Sequence, residues 1–392
     1  MNKLWFYVTT NWQTVVLGSL AVLLISGLLF FKIGTLTGGV SPSEIAIQNQ
    51  NPSFRSIARS PVNAPFYVLR NTGQKLRTNT VISSRKLSAL VALTAIVAFY
   101  ILLRFWYSLR VATLGTMLFA SSSWLLRTGR FGTPDDLQSL IIIPILFSTW
   151  LLKTKRRQLV LAILTIVAGV MVYIPGVVWL ILAAVIWRRQ ALFLEIRTMS
   201  RWFTAFCYGL FLIIISPLAA GIVRTPKILL SITGLPDTIN LAEFFNNLWH
   251  LPLNIFVRSD LSPQLAIAHL PLLDIFSTAM AALGIYSSIK FIKLDRNKLS
   301  IGALVACAIL VSLGGSVTLA LIMPIVYLLI TAGVAFMLED WFRVFPRNPL
   351  AANIGSTLMT IAVLLTMFYH INNYFIAWPN TSATKSEFSK RL

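Results

Sequence analysis

Apolar residues in this chain fall in long unbroken runs separated by short basic stretches, not in the alternating or 3.6-residue patterns of a soluble domain. A helix needs about 20 mostly apolar residues to cross the hydrocarbon core of a bilayer. The pattern therefore predicts an all-α, polytopic bundle of about eleven transmembrane helices. The expected spans lie near 14–31, 87–104, 110–126, 137–152, 158–174, 176–188, 202–223, 267–290, 299–314, 316–338 and 354–372. The stretch 158–188 reads as a hairpin broken at Ile174-Pro175-Gly176, and 299–338 as another turning at Gly314-Gly315-Ser316. The first run has no small-residue cleavage site soon after its end. Phe30-Phe31-Lys32 follows instead, so the run reads as a first span and not a signal peptide.

Loop charge orients the bundle. With the N-terminus inside, anchored weakly by Lys3, one cytoplasmic loop holds Arg104 and Arg110. The next holds Lys153, Lys155, Arg156 and Arg157, and the one after it Arg188, Arg189, Arg197 and Arg201. Lys290, Lys293, Arg296 and Lys298 follow, then Arg343 and Arg347. The short outer turns at 174–176 and 314–316 have no Lys or Arg, and only Arg127 and Arg130 stand in a short outer loop. This asymmetry follows the positive-inside rule and leaves the C-terminal tail, 373–392, outside. Two outer loops are long, about 32–86 and about 224–266. Trp, Phe and Leu among their polar residues predict short helices lying at the interface.

Composition agrees with a single integral domain over 1–392. Of the 392 residues 57% are hydrophobic and 11% charged, too apolar for water to be the solvent. The net charge of +21 would suggest nucleic acid in a soluble protein, but here the cations sit in cytoplasmic loops and no nucleic-acid partner is implied. Cys207 and Cys307 fall in predicted spans and read as small buried apolar residues, with no zinc spacing nearby. There is no internal repeat and no matching pair of broken helices, which counts against an inverted-repeat transporter.

Acids are scarce, twelve in all, and their places are informative. Glu195, Asp295, Glu339 and Asp340 fall on the cytoplasmic side among Lys and Arg. The outer side holds Glu44, Asp135, Asp136, Asp237, Glu243, Asp260 and Asp274, with Glu387 in the tail. Ser41-Pro42-Ser43-Glu44 fits a helix capping box, and an isolated outer-loop acid is also a candidate for chemistry. Thr133-Pro134-Asp135-Asp136 likewise fits a helix start, but Arg127 and Arg130 just before it add more charge than a cap requires. A guanidinium fork suits lipid phosphate. Arg258, Asp260 and Asp274 are further candidates to bind substrate. His250 and His269, both outer and isolated, carry less weight.

These features together resemble the GT-C membrane glycosyltransferases, in particular relatives of the dolichyl-phosphate-mannose–protein mannosyltransferases. The resemblance rests on Ser41-Pro42-Ser43-Glu44 after the first span, on Leu125 to Asp135 at the third-span exit, and on Leu319 to Gly333 with Met323-Pro324 as a proline-containing late span. It covers the first 150 residues best and is topological beyond them. The family often carries an Asp-Glu pair in the first loop where Ser43-Glu44 stands here.

The resemblance implies a sugar moved, with inversion, from a polyprenyl-phosphate-linked donor to a protein, lipid or glycan acceptor on the non-cytoplasmic face of the plasma membrane. It makes Glu44 the candidate catalytic base, Asp135 with Asp136 the second acidic group, and Arg127 or Arg130 a lipid-phosphate contact. Glu44, Asp135 and Arg130 should then meet at one outward-facing cavity. No cofactor is implied. Three outer carboxylates have the chemistry for a divalent ion, but nothing in their spacing demands one. Two other classes stay open: a transporter or flippase of a lipid-linked substrate, and a non-catalytic scaffold of the same fold.

Overall fold

The computed structural model describes residues 12–50, 53–74, 80–153 and 157–389. Lys3, Lys155 and Arg156 of the charge pattern lie outside the described residues, as do the side chains of Lys153, Arg157, Arg188 and Glu195. The described residues form helices and their connections, without a strand.

A helix occupies each expected apolar run. In chain order these are α1 (Trp12–Phe30), then three helices of the first long loop, α2 (Pro42–Gln50), α3 (Phe54–Arg59) and α4 (Ala64–Gln74). Next come α5 (Thr80–Trp106), α6 (Leu109–Ser121), α7 (Ser123–Thr128), a 3-10 turn over Pro134–Ile141, α8 (Ile142–Lys153), α9 (Arg157–Met171), α10 (Val177–Thr198) and α11 (Arg201–Arg224). The second long loop carries α12 (Lys227–Thr233) and α13 (Leu241–Phe256). The chain continues as α14 (Ile275–Lys290), α15 (Asp295–Ser312), α16 (Met323–Val344), α17 (Pro349–Asn372), a π-helical turn over Asn373–Ala377 and a last short helix, α18 (Ser382–Glu387).

By length and composition, four helical stretches among the described residues can cross a membrane unaided: Val81–Trp106, Arg201–Arg224, Met323–Val344 and Leu350–Asn380. Val177–Trp187 with Leu192–Thr198 makes a fifth if the 75° bend between them belongs to one span. Leu20–Phe30, Leu109–Ser121 and Gln158–Met171 are shorter apolar stretches.

Three expected starts shift. The run at 267–290 becomes helical only at Ile275, because Pro271 precedes it and Asp274 caps the helix. The run at 316–338 becomes helical at Met323, with Pro324 in its first turn, where a missing N–H costs nothing. Residues 137–141 belong to the 3-10 turn.

α16 is the axis of the molecule. Every residue from Met323 to Ala335 is buried, as a helix apolar on all sides must be when other helices surround it. Its contact with α14 is backbone on backbone. A Cβ on Gly284 would lie 1.8 Å from the Leu329 carbonyl oxygen, and one on Gly333 2.0 Å from that of Met280. Small residues permit this approach between apolar helices, where dispersion replaces the hydrophobic effect. The outer helices do the opposite: Trp202, Phe206, Ile213 and Val223 of α11, and Leu350, Leu365 and Phe368 of α17, are exposed. Lipid is the solvent that accepts such faces.

The stretch Leu350–Asn380 has 31 residues. At 1.5 Å per residue it is about 46 Å long, beyond the ~30 Å hydrocarbon core. Its excess carries Tyr374 and Trp378 over the end of the bundle that holds the candidate residues.

Candidate functional site

The chain leaves α1 through a turn in which Gly38 has φ +69°, and Ser41 then caps α2. The capping box is formed in both directions. Ser41 N–H donates to Glu44 Oε2 at 3.0 Å, and Glu44 N–H donates to Ser41 Oγ at 3.3 Å. The structure adds a partner that local sequence does not reveal. Arg85, in the second turn of α5, grips the same carboxylate with both arms: Nε donates to Oε1 at 2.6 Å and Nη2 to Oε2 at 2.9 Å. Arg85 also donates to the carbonyls of Gly39 at 2.8 Å and Ile33 at 3.2 Å, so it fastens the α1–α2 turn to α5. Gly132 N–H closes the shell of Glu44 at 3.4 Å. Burial alone would raise the Glu44 pKa. The hydrogen bonds and charge of Arg85, with the two backbone N–H groups, outweigh it and hold the carboxyl below its usual range.

Arg127 and Arg130 are buried too, at 2% and 3% exposure. Arg130 donates to the carbonyls of Leu28 (3.0 Å) and Phe31, satisfying the free C-terminal end of α1, and stacks 5.0 Å from the rings of both Tyr374 and Phe375. Arg127 donates to Leu265 O at 2.7 Å and to Asn373 Oδ1, beneath the Trp378 ring. The Nε–H of each arginine has no acceptor.

Asp135 and Asp136 open the 3-10 turn and differ sharply. Asp136 is 1% exposed; Ser139 Oγ donates to its backbone carbonyl at 2.7 Å and sits 3.4 Å from its Oδ1, while Oδ2 has no partner. Burial, reinforced by the charge of Asp135, pushes its pKa up to about 8 against the pull of Ser139. Asp135 is partly exposed, and among the described residues no side chain or backbone group hydrogen-bonds its carboxylate. Its pKa is raised by burial. Tyr67 of α4 feels its charge.

The raised Asp136 pKa has a measurable sign. The folded carboxyl holds its proton more tightly than the unfolded one, whose pKa is about 3.9. Stability therefore falls as pH rises from about 4 towards the folded value of about 8. Asp136→Asn, neutral throughout, is expected to remove that slope. Thermal melts in detergent between pH 5 and pH 9 should show the parent losing stability relative to the variant, and parallel curves would contradict this.

Asp274 caps α14 by accepting from Phe276 N (3.0 Å) and Ser277 N (3.3 Å). It also meets His370 Nε2 at 3.2 Å, and His370 Nδ1 lies 3.1 Å from Ser123 Oγ. This buried line ties α14, α17 and α7 together. Sequence reasoning passed over His370. The available signal was an ionisable residue inside an apolar run, near its C-terminal end. Arg258, Asp260 and His269 form a separate, exposed cluster on the second loop, with Asp260 Oδ1 3.8 Å from Arg258 Nε and 3.0 Å from His269 Nδ1. His250 bonds its own helix through Asn246 O at 2.8 Å.

The two long loops and the tail meet at Gln264. Ser43 Oγ donates to its Oε1 at 3.1 Å, and its Nε2 donates to Glu387 at 2.8 Å. Trp378 Nε1 donates to Pro263 O at 2.7 Å, while Phe131, Trp378 and Phe388 pack ring to ring. First loop, third-span exit, second loop and tail thus form one body. Glu44, Arg85, Arg130 and Gly132 share its buried layer, and Asp135 stands at its edge. Glu44 and Arg130, expected with Asp135 at one outward-facing cavity, are 2% and 3% exposed and packed against Arg85 and Tyr374. Cys207 and Cys307 are buried, free thiols. Among the described residues no three His, Cys, Asp or Glu side chains gather as metal ligands.

No family model and no characterised protein sequence matches the chain. Solved structures do. ArnT from Cupriavidus metallidurans in the apo state aligns over 96% of this chain and 77% of its own, with TM-score 0.58 and 14% identity. The same protein bound to undecaprenyl phosphate aligns over the same shares, with TM-score 0.54 and 15% identity. At that identity the likeness is one of fold. This multi-pass, all-helical chain has the fold of ArnT, a GT-C membrane glycosyltransferase.

Proposed function

We propose that the chain moves a sugar from a polyprenyl-phosphate donor to an acceptor hydroxyl on the non-cytoplasmic face of the plasma membrane. The N-terminus is inside and about eleven helices cross the bilayer, some of them short or bent. The fold and the undecaprenyl phosphate in one ArnT structure support a lipid-linked substrate. One observation carries the chemistry: Asp135 is a partly exposed carboxylate without a hydrogen-bond partner among the described residues, a few positions along the chain from Arg127 and Arg130, whose Nε–H groups have no acceptor.

In this reading the acceptor oxygen attacks the anomeric carbon and the bond from that carbon to the phosphate oxygen breaks. The phosphate leaves with the electron pair, and Asp135 takes the hydroxyl proton. A single displacement inverts the centre. The raised pKa of Asp135 suits a base better than the lowered one of Glu44. Glu44 instead positions Arg85 and the Gly132 turn. Arg127 and Arg130 offer their free Nε–H groups to the leaving phosphate once Tyr374 and Trp378 move aside.

The test is a proteoliposome assay with a radiolabelled polyprenyl-phosphate sugar. Free polyprenyl phosphate should appear together with glycosylated acceptor. Movement of intact donor across the bilayer with no product would favour the flippase reading and overturn this one.

A further inference from the structure

An apolar cavity of about 340 Å³ lies between α8, α9, α10 and α15, away from the residues described above. Small residues on facing helices create it: Ala168 on α9, Ala184 on α10, and Gly302 and Ala306 on α15. The size falls within the ordinary range of ligand sites. Among the described residues its lining holds one charge, Lys298, three residues past the first residue of α15.

The cations at that end of the bundle are not equivalent. Arg296 is committed to Trp106 O at 2.6 Å and to the Tyr107 ring. Lys290 lies over the rings of Tyr286, Phe291 and Phe336. Lys298 is exposed and, among the described residues, has no carboxylate partner. From Lys298 the apolar wall runs to Ala306, about 12 Å along the helix. An ammonium at the mouth of a long greasy slot is complementary to an amphiphile with an anionic head.

We infer that this cavity binds one acyl chain of an anionic phospholipid from the cytoplasmic leaflet, with its phosphate on Lys298. The leaflet rests on the sidedness proposed above. The occupancy does not, and it is measured without any sugar donor.

The full chain, purified in detergent, is given phosphatidylglycerol or phosphatidylcholine, and retained lipid is read by native mass spectrometry. Phosphatidylglycerol should be retained preferentially. Lys298→Gln should reduce that preference about five-fold, since a basic residue near an anionic headgroup contributes about 1 kcal/mol. Gly302→Phe should abolish retention by filling the slot. A Cβ at Gly302 meets nothing within 4 Å, so the ring enters open space. Should that variant fail to insert, Ala306→Phe makes the same test one turn further along. Equal retention of the two lipids, or retention unchanged by both fillers, would overturn the inference. So would displacement of the bound lipid by undecaprenyl phosphate alone, which would make the slot part of the donor's path.

Discussion

Asp135→Asn is expected to insert and melt like the parent but to transfer sugar about 10²–10⁴ times more slowly, the range a positioned general base contributes. The expectation of normal stability comes from geometry. The Asp135 carboxylate is partly exposed and accepts no hydrogen bond among the described residues, so an amide of the same shape leaves nothing unpaired. The loss should fall on kcat with KM for the donor nearly unchanged, because a base acts on the acceptor proton in the transition state. The parent's rate should rise with pH along a limb set by a carboxylate whose pKa is above the usual range, and that limb should vanish in the variant. A variant that keeps parental kcat would remove Asp135 from the chemistry.

Glu44→Gln should behave in the opposite way, failing first in stability. Glu44 and Arg85 are 2% and 4% exposed at their side chains and share two hydrogen bonds. Removing one partner of a buried pair leaves an uncompensated charge, at a cost of about 3–5 kcal/mol. Arg85→Met should cost a similar amount, because it strands the carboxylate and frees the Gly39 and Ile33 carbonyls. The double variant should regain much of the loss. If it also regains transfer, Glu44 positions; if it folds but stays inactive, Glu44 takes part in the reaction and Asp135 is not the sole acid required.

The pair also sets a pH dependence. The folded carboxyl has a lowered pKa, so its contribution is complete above the unfolded value of about 4.3 and is lost as pH falls through the folded one. Acid should destabilise the parent in that window, and Glu44→Gln should lack that limb.

Much of the site could be read locally. The capping box at Ser41 and Glu44 was legible because both of its hydrogen bonds lie within four residues. The bond from Asp274 to the start of its own helix has the same origin. Arg85 was not legible as a partner. It lies 41 residues from Glu44 and resembles the other basic residues that end apolar runs. His370 was missed because it falls inside such a run, and only the packing of α17 on α14 and α7 gives it Asp274 and Ser123. Asp135 and Asp136 are neighbours of one residue type, so no local pattern separates them. A 3-10 turn sends one towards the surface and the other into the bundle, and the deeper burial pushes the Asp136 pKa up to about 8.

Sequence alone determined that the chain is all helix in an apolar solvent, because lipid admits only helices and closed barrels, and unbroken apolar runs of about 20 residues fit a helix and not a barrel strand. It also determined where the apolar runs fall and which loops carry acids, since composition is read one segment at a time. Tertiary structure decided the rest. It chose the partners of Glu44 and Arg130, sheltered Arg127 under the tail, and left the Asp135 carboxylate without a hydrogen-bond partner among the described residues. Those outcomes depend on which distant segments arrive at the same place, and charge–charge distance and desolvation, unlike hydropathy, have no value until they do.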